Sequence, residues 1–299
     1  MPKKSAYCCV LMAAILWGGL GIYSRVLAPL GFSPIQIVAL RAWGAAIFLL
    51  VGVSLWQPSA LKIRWRHLPY FLGTGLLSFV FFNICYFTAI ELTSLAVAAI
   101  LLYTSPIIVM VLSVLLLGER FSLRKGLALL LAFSGCCLVA SAGGWADGQL
   151  LGSGLWIGLG AGLGYALYSI LGRLALNHYG PLTLTLWTFL IAATAMLFLA
   201  ELPSTLSLVS QSGMWLWVLA LALLGTVAPF ALYTLGLQGM ESSRAALIAC
   251  IEPVIAAVVG VLIFQEALNG GLLAGIILVL SGVLILAQSP LMVKGVGES

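Results

Sequence analysis

Apolar residues along the chain occur in ten long, nearly continuous runs that are separated by short polar breaks. A helix needs about 20 predominantly apolar residues to cross a hydrocarbon core of roughly 30 Å. The runs show no alternation of period two, which favours helices over the strands of a closed barrel. The pattern therefore predicts an all-α membrane protein with ten transmembrane helices, at about 6–28, 35–56, 68–90, 94–117, 124–143, 152–175, 181–201, 215–238, 243–264 and 271–289.

Two of the runs share one pattern, a proline followed thirteen residues later by a glutamate. The stretches are YTSPIIVMVLSVLLLGE and CIEPVIAAVVGVLIFQE, in which Pro106 and Pro253 are 147 residues apart, as are Glu119 and Glu266. The same shift aligns Tyr86 with Tyr233, among other pairs. We therefore expect two five-helix repeats, 1–147 and 148–299. Each proline removes a backbone hydrogen bond in mid-helix and predicts a kink.

An odd number of helices in each repeat inverts the second repeat relative to the first. Inverted repeats related by an axis in the membrane plane are typical of secondary transporters, whose substrate sites lie near the bilayer midplane. The expected mechanism is alternating access, in which the two repeats rock around a shared central site.

Composition and charge exclude several other classes. The chain is 63% hydrophobic and 7% charged, far from the roughly 25% charged residues of soluble domains. Most of the 13 basic residues fall at one side of the predicted spans, which predicts cytoplasmic termini and makes a nucleic-acid partner a poor interpretation. These residues are Lys3, Lys4, Lys62, Arg64, Arg66, Arg120, Arg124, Lys125, Arg173, Arg244 and Lys294. The six cysteines form no Cys-x-x-Cys pair and accompany no histidine cluster, so neither a metal nor another cofactor is expected.

Four stretches of the sequence carry a family resemblance. They are AIELTSLAVAAILLYTSPIIVMVLSVLLLGERFSLRKGLALLLAFSGCCLV, its counterpart GMESSRAALIACIEPVIAAVVGVLIFQEALNGGLLAGIILVLSGVLI, LWGG at 16–19 and SPIQIVALR at 33–41. The chain resembles the EamA family of the drug/metabolite transporter superfamily over nearly its whole length, in two copies. The resemblance implies ten helices around a central cavity, with the fifth and tenth at the periphery. It also implies secondary transport of small organic solutes, most often as export, with amino acids a recurring substrate class.

Polar residues within the spans are the first candidates for the substrate site, because each costs about 2.5–3.5 kcal/mol to insert. Glu252 lies beside Pro253 near the middle of the ninth span and could bind an ammonium group, couple transport to protons or serve as a structural partner for a neighbouring helix. Arg41 could hold a substrate carboxylate, pair permanently with Glu252 or bond to carbonyl groups. Asn83 and Tyr86 share one face of the third span, where an interhelical hydrogen bond is the alternative to substrate binding.

Aromatic side chains near the predicted midplane complete the candidate site. They are Trp17, Tyr103, Tyr165 and Tyr168. Aromatic walls suit amphipathic or cationic solutes through stacking and cation–π contacts, although core packing is the usual role of any single aromatic residue.

The sequence thus predicts a secondary transporter in the cell inner membrane that exports small amphipathic or zwitterionic metabolites such as amino acids. Its partners are that solute and the lipid bilayer, and the sequence leaves a monomer and a homodimer open. An uncoupled uniporter has the same architecture and is the first alternative. An intramembrane enzyme is the second, but Walker, GxSxG and HExxH motifs are missing from the sequence.

Overall fold

A computed structural model of the chain describes residues 3–141 and 152–288. The described residues contain ten helices that are long and apolar enough to cross a membrane, as the hydrophobic pattern predicts. We number these spans 1 to 10 in chain order: Lys4–Leu30, Pro34–Trp56, Trp65–Leu92, Leu95–Leu117, Leu123–Ser141, Ser153–Leu176, Pro181–Leu199, Trp215–Gln238, Ser242–Phe264 and Gly270–Ala287. The predicted repeat boundary between 147 and 148 lies outside the described residues.

Spans 5 and 10 pack along each other and reveal an inverted two-fold relation between the halves. A Cβ on Gly135 would lie 2.7 Å from the carbonyl oxygen of Gly275, and one on Gly282 would lie 2.7 Å from that of Ala128. Adding 147 to 135 gives 282, and subtracting 147 from 275 gives 128, so each contact is the repeat-mate of the other. Later residues of span 5 meet earlier residues of span 10, which means that the two spans are antiparallel and the repeats inverted.

The remaining packing follows the same relation. Span 1 packs along span 8 and span 6 along span 3, while spans 2 and 7 pack against each other. Both third helices of the repeats contain a π-helical segment, at Gly73–Val80 in span 3 and Leu223–Val227 in span 8. Such segments are rare and occur frequently at functional sites.

Spans 4 and 9 are interrupted rather than merely kinked. Each consists of two helices: Leu95–Leu102 and Ser105–Leu117 in span 4, Ser242–Ala249 and Ile251–Phe264 in span 9. Pro106 and Pro253 lie in the first turn of the second helix, where a missing N–H group removes no intrahelical bond. The prolines therefore begin the second helices, and the break leaves polar backbone in the middle of each span.

Repeated turns also end both broken spans. Gly118 and Gln265 adopt the left-handed conformation, and the following N–H groups of Glu119 and Glu266 donate to the carbonyls of Ser113 and Gly260 at 3.1 Å. Each bond reaches back six residues, one more than the six-to-one bond of a Schellman motif, and closes a wide turn at the left-handed residue. The turn explains why a glutamate follows each apolar run, since it places the carboxylate just beyond the helix.

We expect Gly135→Ala to destabilise the protein, because its Cβ would meet backbone atoms of span 10 at under 3 Å. Overpacking of this kind costs about 1–3 kcal/mol. Gly21→Ala is the matched control, since a Cβ there has nothing within 4 Å and alanine is otherwise the better helix former. Thermal unfolding in detergent should show a lower transition temperature for Gly135→Ala alone; equal behaviour of the two variants would contradict this packing.

Candidate functional site

A small aromatic cavity lies where spans 1, 3, 6 and 8 meet. Its volume is about 30 Å³, and it is lined by Trp17, Ser78, Phe79, Phe82, Tyr165, Tyr168, Ser169, Phe230 and Tyr233. Three of these residues, Trp17, Tyr165 and Tyr168, are sequence-predicted site residues. Ser78 and Phe79 come from the π-helical segment of span 3.

The aromatic rings of the cavity are fixed by mutual contacts, most of them edge-to-face. The ring of Trp17 lies 5.2 Å from that of Phe230 and 5.3 Å from that of Tyr233, between centroids. Tyr168 packs on Phe230 at 5.1 Å. Such pairs each contribute about 0.5–1.5 kcal/mol beyond their buried area, so the walls are preorganised.

Hydrogen bonds between side chains fix the polar tips of two of these rings. The hydroxyls of Tyr168 and Thr234 lie 2.7 Å apart, as do those of Ser169 and Tyr233. Both pairs join span 6 to span 8, and Tyr168, Tyr233 and both smaller hydroxyl residues are buried. Their polar atoms are therefore used in holding the two spans together.

Glu252 lies just after the break in span 9 and contacts a residue of the cavity lining. The hydroxyl of Tyr165 donates to its carboxylate at 2.9 Å, and Tyr165 lines the cavity. Span 1 comes very close at this point, because a Cβ on Gly18 would lie 2.7 Å from the carbonyl oxygen of Glu252. Gly18 of LWGG thus allows span 1 to pack directly on the backbone that carries the carboxylate.

Arg41 approaches the cavity from span 2. Its Nε donates to the hydroxyl of Thr226 at 3.2 Å, and its guanidinium lies 5.7 Å from the ring centroid of Phe79. Thr226 belongs to the π-helical segment of span 8. Among the described residues the ion pairs within 4 Å do not include Arg41 with Glu252, so the permanent pairing considered from the sequence is not formed here.

The three remaining predicted residues lie outside the cavity lining. Asn83 is buried, and its amide donates to the carbonyl of Phe79 at 2.7 Å, one turn back in its own helix. Tyr86 packs on Phe82, with ring centroids 6.0 Å apart, and so supports a lining residue from behind. Tyr103 lies at the break in span 4 and packs on the main buried core.

A buried ionic cluster lies at the end of the bundle that carries the basic residues, here called the basic end. The cluster consists of Glu119, Lys125, Glu241 and Arg244. The Nζ of Lys125 lies 3.1 Å from a carboxylate oxygen of Glu241, which also accepts from the Nε of Arg244 at 2.7 Å. Lys125 and Arg244 are each 3% exposed. The positive-inside pattern of the sequence placed both residues at solvated helix ends.

Glu119 caps the start of span 9 from the end of span 4. Its carboxylate accepts from the backbone N–H groups of Ser242 and Ser243, the latter at 3.2 Å, and from the Ser243 hydroxyl. Both serines are fully buried. An anion at a helix N-terminus satisfies unpaired N–H groups and interacts favourably with the helix dipole. The contact ties the first repeat to the second at the basic end.

The opposite end of the bundle lacks the corresponding contact. Glu266, the repeat-mate of Glu119, pairs with Arg25, and each side chain is about half exposed. The start of span 4 is capped by its own Ser94, which accepts from the N–H group of Val97 at 3.2 Å. The two ends of an otherwise symmetric bundle are therefore closed to different extents.

Comparisons with known proteins agree with this architecture. A family model described as the EamA-like transporter family matches residues 4–141 and 152–288. An uncharacterized transporter of Archaeoglobus fulgidus is 31% identical over 276 residues, covering 92% of this chain and 94% of the relative. The uncharacterized inner membrane transporter YicL of Salmonella typhimurium is 24% identical, with 93% of both chains covered. A crystal structure of a protein 19% identical in sequence superposes with a TM-score of 0.80 over 95% of this chain and 96% of its own, which supports the fold alone.

Proposed function

The chain belongs to the EamA-like transporter family, and from this membership we propose that it carries small amphipathic or zwitterionic metabolites, amino acids among them, by alternating access around the aromatic cavity. As a member of that family it is a multi-pass membrane transporter. The inner-membrane relative and the ten apolar spans place it in the cell inner membrane.

The observation that carries the substrate class is a pair of side chains of opposite charge that each contact a lining residue of one cavity. Arg41 stacks over the lining residue Phe79, and Glu252 bonds to the lining residue Tyr165. A guanidinium can hold a carboxylate through two parallel hydrogen bonds. The carboxylate of Glu252 and the surrounding ring faces suit an ammonium group. A zwitterion would satisfy both charges at once.

The size of the cavity supports a mechanism in which spans move apart. A volume of about 30 Å³ has room for about two water molecules. Sites for small organic ligands are typically about 300–1,000 Å³. A metabolite therefore needs the repeats to separate before it can bind, and we interpret the present arrangement as a conformation closed to solute.

The basic end is the cytoplasmic end on the positive-inside rule, and the ionic cluster supports its assignment as the closed gate of this conformation. Repeat symmetry suggests the other conformation. There Glu266 would leave Arg25 and cap the start of span 4, at the N–H groups of Leu95 and Ala96. Glu119 would at the same time release the start of span 9. Each gate would thus exchange one carboxylate contact, as inverted repeats allow.

Counterflow in proteoliposomes tests the proposal. We expect one class among amino acids, polyamines and nucleosides to exchange saturably, with amino acids the first candidates. Imposing a pH gradient should accelerate flux if Glu252 couples transport to protons, and vesicles of both orientations would establish whether the direction is export. Saturable flux that ignores every ion gradient would instead favour a uniporter. Exchange of none of these classes would contradict the proposed substrate class.

A further inference from the structure

A second, larger groove lies at the basic end, separate from the aromatic cavity. Its volume is about 820 Å³, and it runs between the connection of spans 2 and 3, the turn between spans 6 and 7, and one face of span 8. We propose that this groove binds an anionic phospholipid of the leaflet at the basic end.

The groove is polar at its outer end and apolar along its length. Lys62, His178 and Thr183 are among its polar lining, while Leu232 and Leu235 of span 8 are among its apolar lining. This division matches a lipid, with the phosphate at the basic residues and an acyl chain along span 8. Basic pockets between transmembrane helices are recognised binding sites for anionic headgroups.

The start of span 7 supplies uncapped N–H groups at the polar end of the groove. Gly180 precedes the helix and provides no side-chain cap. In the described part of the chain the first N–H group of the span with a backbone partner is that of Leu184, which bonds to Gly180. The N–H groups of Leu182 and Thr183 are thus available to an anion, as helix N-termini commonly are.

Thr183 gives an independent sign that a ligand belongs here. The residue is 5% exposed and lines the groove, yet its hydroxyl has no hydrogen-bond partner among the described residues. Every buried side-chain oxygen or nitrogen among the described residues has a partner, so this hydroxyl oxygen is accessible, and it could donate to a phosphate oxygen in the groove.

The repeat-related position at the opposite end is closed by the protein itself. Pro34 begins span 2 as Pro181 begins span 7, but there Ser33 and Gln36 form a reciprocal capping box. The connection after span 7 forms an extra helix, Leu202–Ser212, whose Val209 belongs to one buried cluster with Phe32 and Ile37 of this turn. Charge also distinguishes the ends, since Lys62, Arg64 and Arg66 are exposed beside the groove.

Native mass spectrometry of the detergent-solubilised full chain can test the proposal, using phosphatidylglycerol against phosphatidylcholine at equal concentration. We expect the wild type to retain phosphatidylglycerol preferentially and Lys62→Gln to bind it about fivefold more weakly, the effect of one basic residue near a charged lipid surface. Arg124→Gln, an exposed basic residue of the same end that does not line the groove, should behave as the wild type.

Two further measurements separate the alternatives. Ala231→Trp fills the apolar part of the groove and should weaken lipid retention without changing charge; thermal unfolding identifies any variant that fails to fold. Glycerol 3-phosphate should not displace the lipid, and displacement would assign the groove to a soluble phosphate compound. Equal retention of the two lipids, or equal losses in Lys62→Gln and Arg124→Gln, would overturn the proposal.

Discussion

Replacing Glu252 with Gln should abolish any acceleration of transport by a pH gradient while leaving the protein folded. The amide keeps the size of the side chain and can still accept from the Tyr165 hydroxyl, which lies 2.9 Å from the carboxylate. It cannot, however, gain and release a proton or pair with a cation. The measurement is solute flux into proteoliposomes with and without an imposed gradient.

Affinity should fall together with coupling if the carboxylate also binds the ammonium group of the solute. Hydrogen bonds to charged groups contribute about 1.5–3 kcal/mol, which corresponds to a loss of roughly tenfold to a hundredfold in solute affinity. Tyr165→Phe should have a smaller effect, because it keeps the ring in the cavity wall and removes only the hydroxyl that positions Glu252.

Glu91→Gln provides the matched control, since that carboxylate is exposed at the end of span 3, far from the cavity lining. It should transport as the wild type does. If Glu252→Gln keeps full gradient dependence, Glu252 is not the coupling residue. If coupling persists and affinity alone falls, the residue binds solute and another group carries the proton.

The ten spans and their inversion could be predicted because they depend on patterns that the membrane enforces along the chain. Continuous apolar runs predict the spanning helices. The Pro106–Glu119 pair recurs as Pro253 and Glu266, and this recurrence aligns the two halves of the sequence. The structure adds the reason for the pattern, a helix break before each proline and a left-handed residue that ends the helix before each glutamate.

The composition of the site was less predictable because it depends on helix rotation. Trp17, Tyr165 and Tyr168 line the cavity, but Asn83 turns its amide back to its own helix. Phe230 was not predicted as a site residue at all, since one phenylalanine among many carries no sequence signal. Only the antiparallel packing of spans 1 and 8 brings it against Trp17.

The ionic cluster was missed for a different reason. Positive-inside counting assigns Lys125 and Arg244 to the solvated ends of helices, which is where basic residues normally lie. Their burial depends on Glu241 at the start of span 9, which pairs with both residues, and on Glu119 after span 4, which lies 4.0 Å from Lys125. One signal was available, because Glu241 replaces Ser94 at the repeat-related helix start and leaves the N–H groups of span 9 without a local cap.

Glu119→Ala should strongly destabilise the protein, and Glu266→Ala, its repeat-mate, should do so only slightly. Removing Glu119 leaves the buried N–H groups of Ser242 and Ser243 unsatisfied, at about 1–3 kcal/mol each, and removes a partner of Lys125. The sum agrees with the 3–5 kcal/mol typical of breaking a buried ionic contact. Glu266 pairs with Arg25 at an exposed site, where such pairs contribute about 0.2–1 kcal/mol.

The test is the free energy of unfolding of the two variants, measured in detergent against the wild type. It shows whether the ionic cluster at the basic end holds the two repeats together as a closed gate or is only a charged surface. If both ends were equivalent, the repeat-related substitutions would cost the same, and the gate assignment would fail. A large loss confined to Glu119→Ala would show that this conformation is held mainly at the basic end. The same variant should then expose the start of span 9 to water-soluble thiol reagents in a Ser243→Cys background, because the two repeats would separate where their shared carboxylate has been removed.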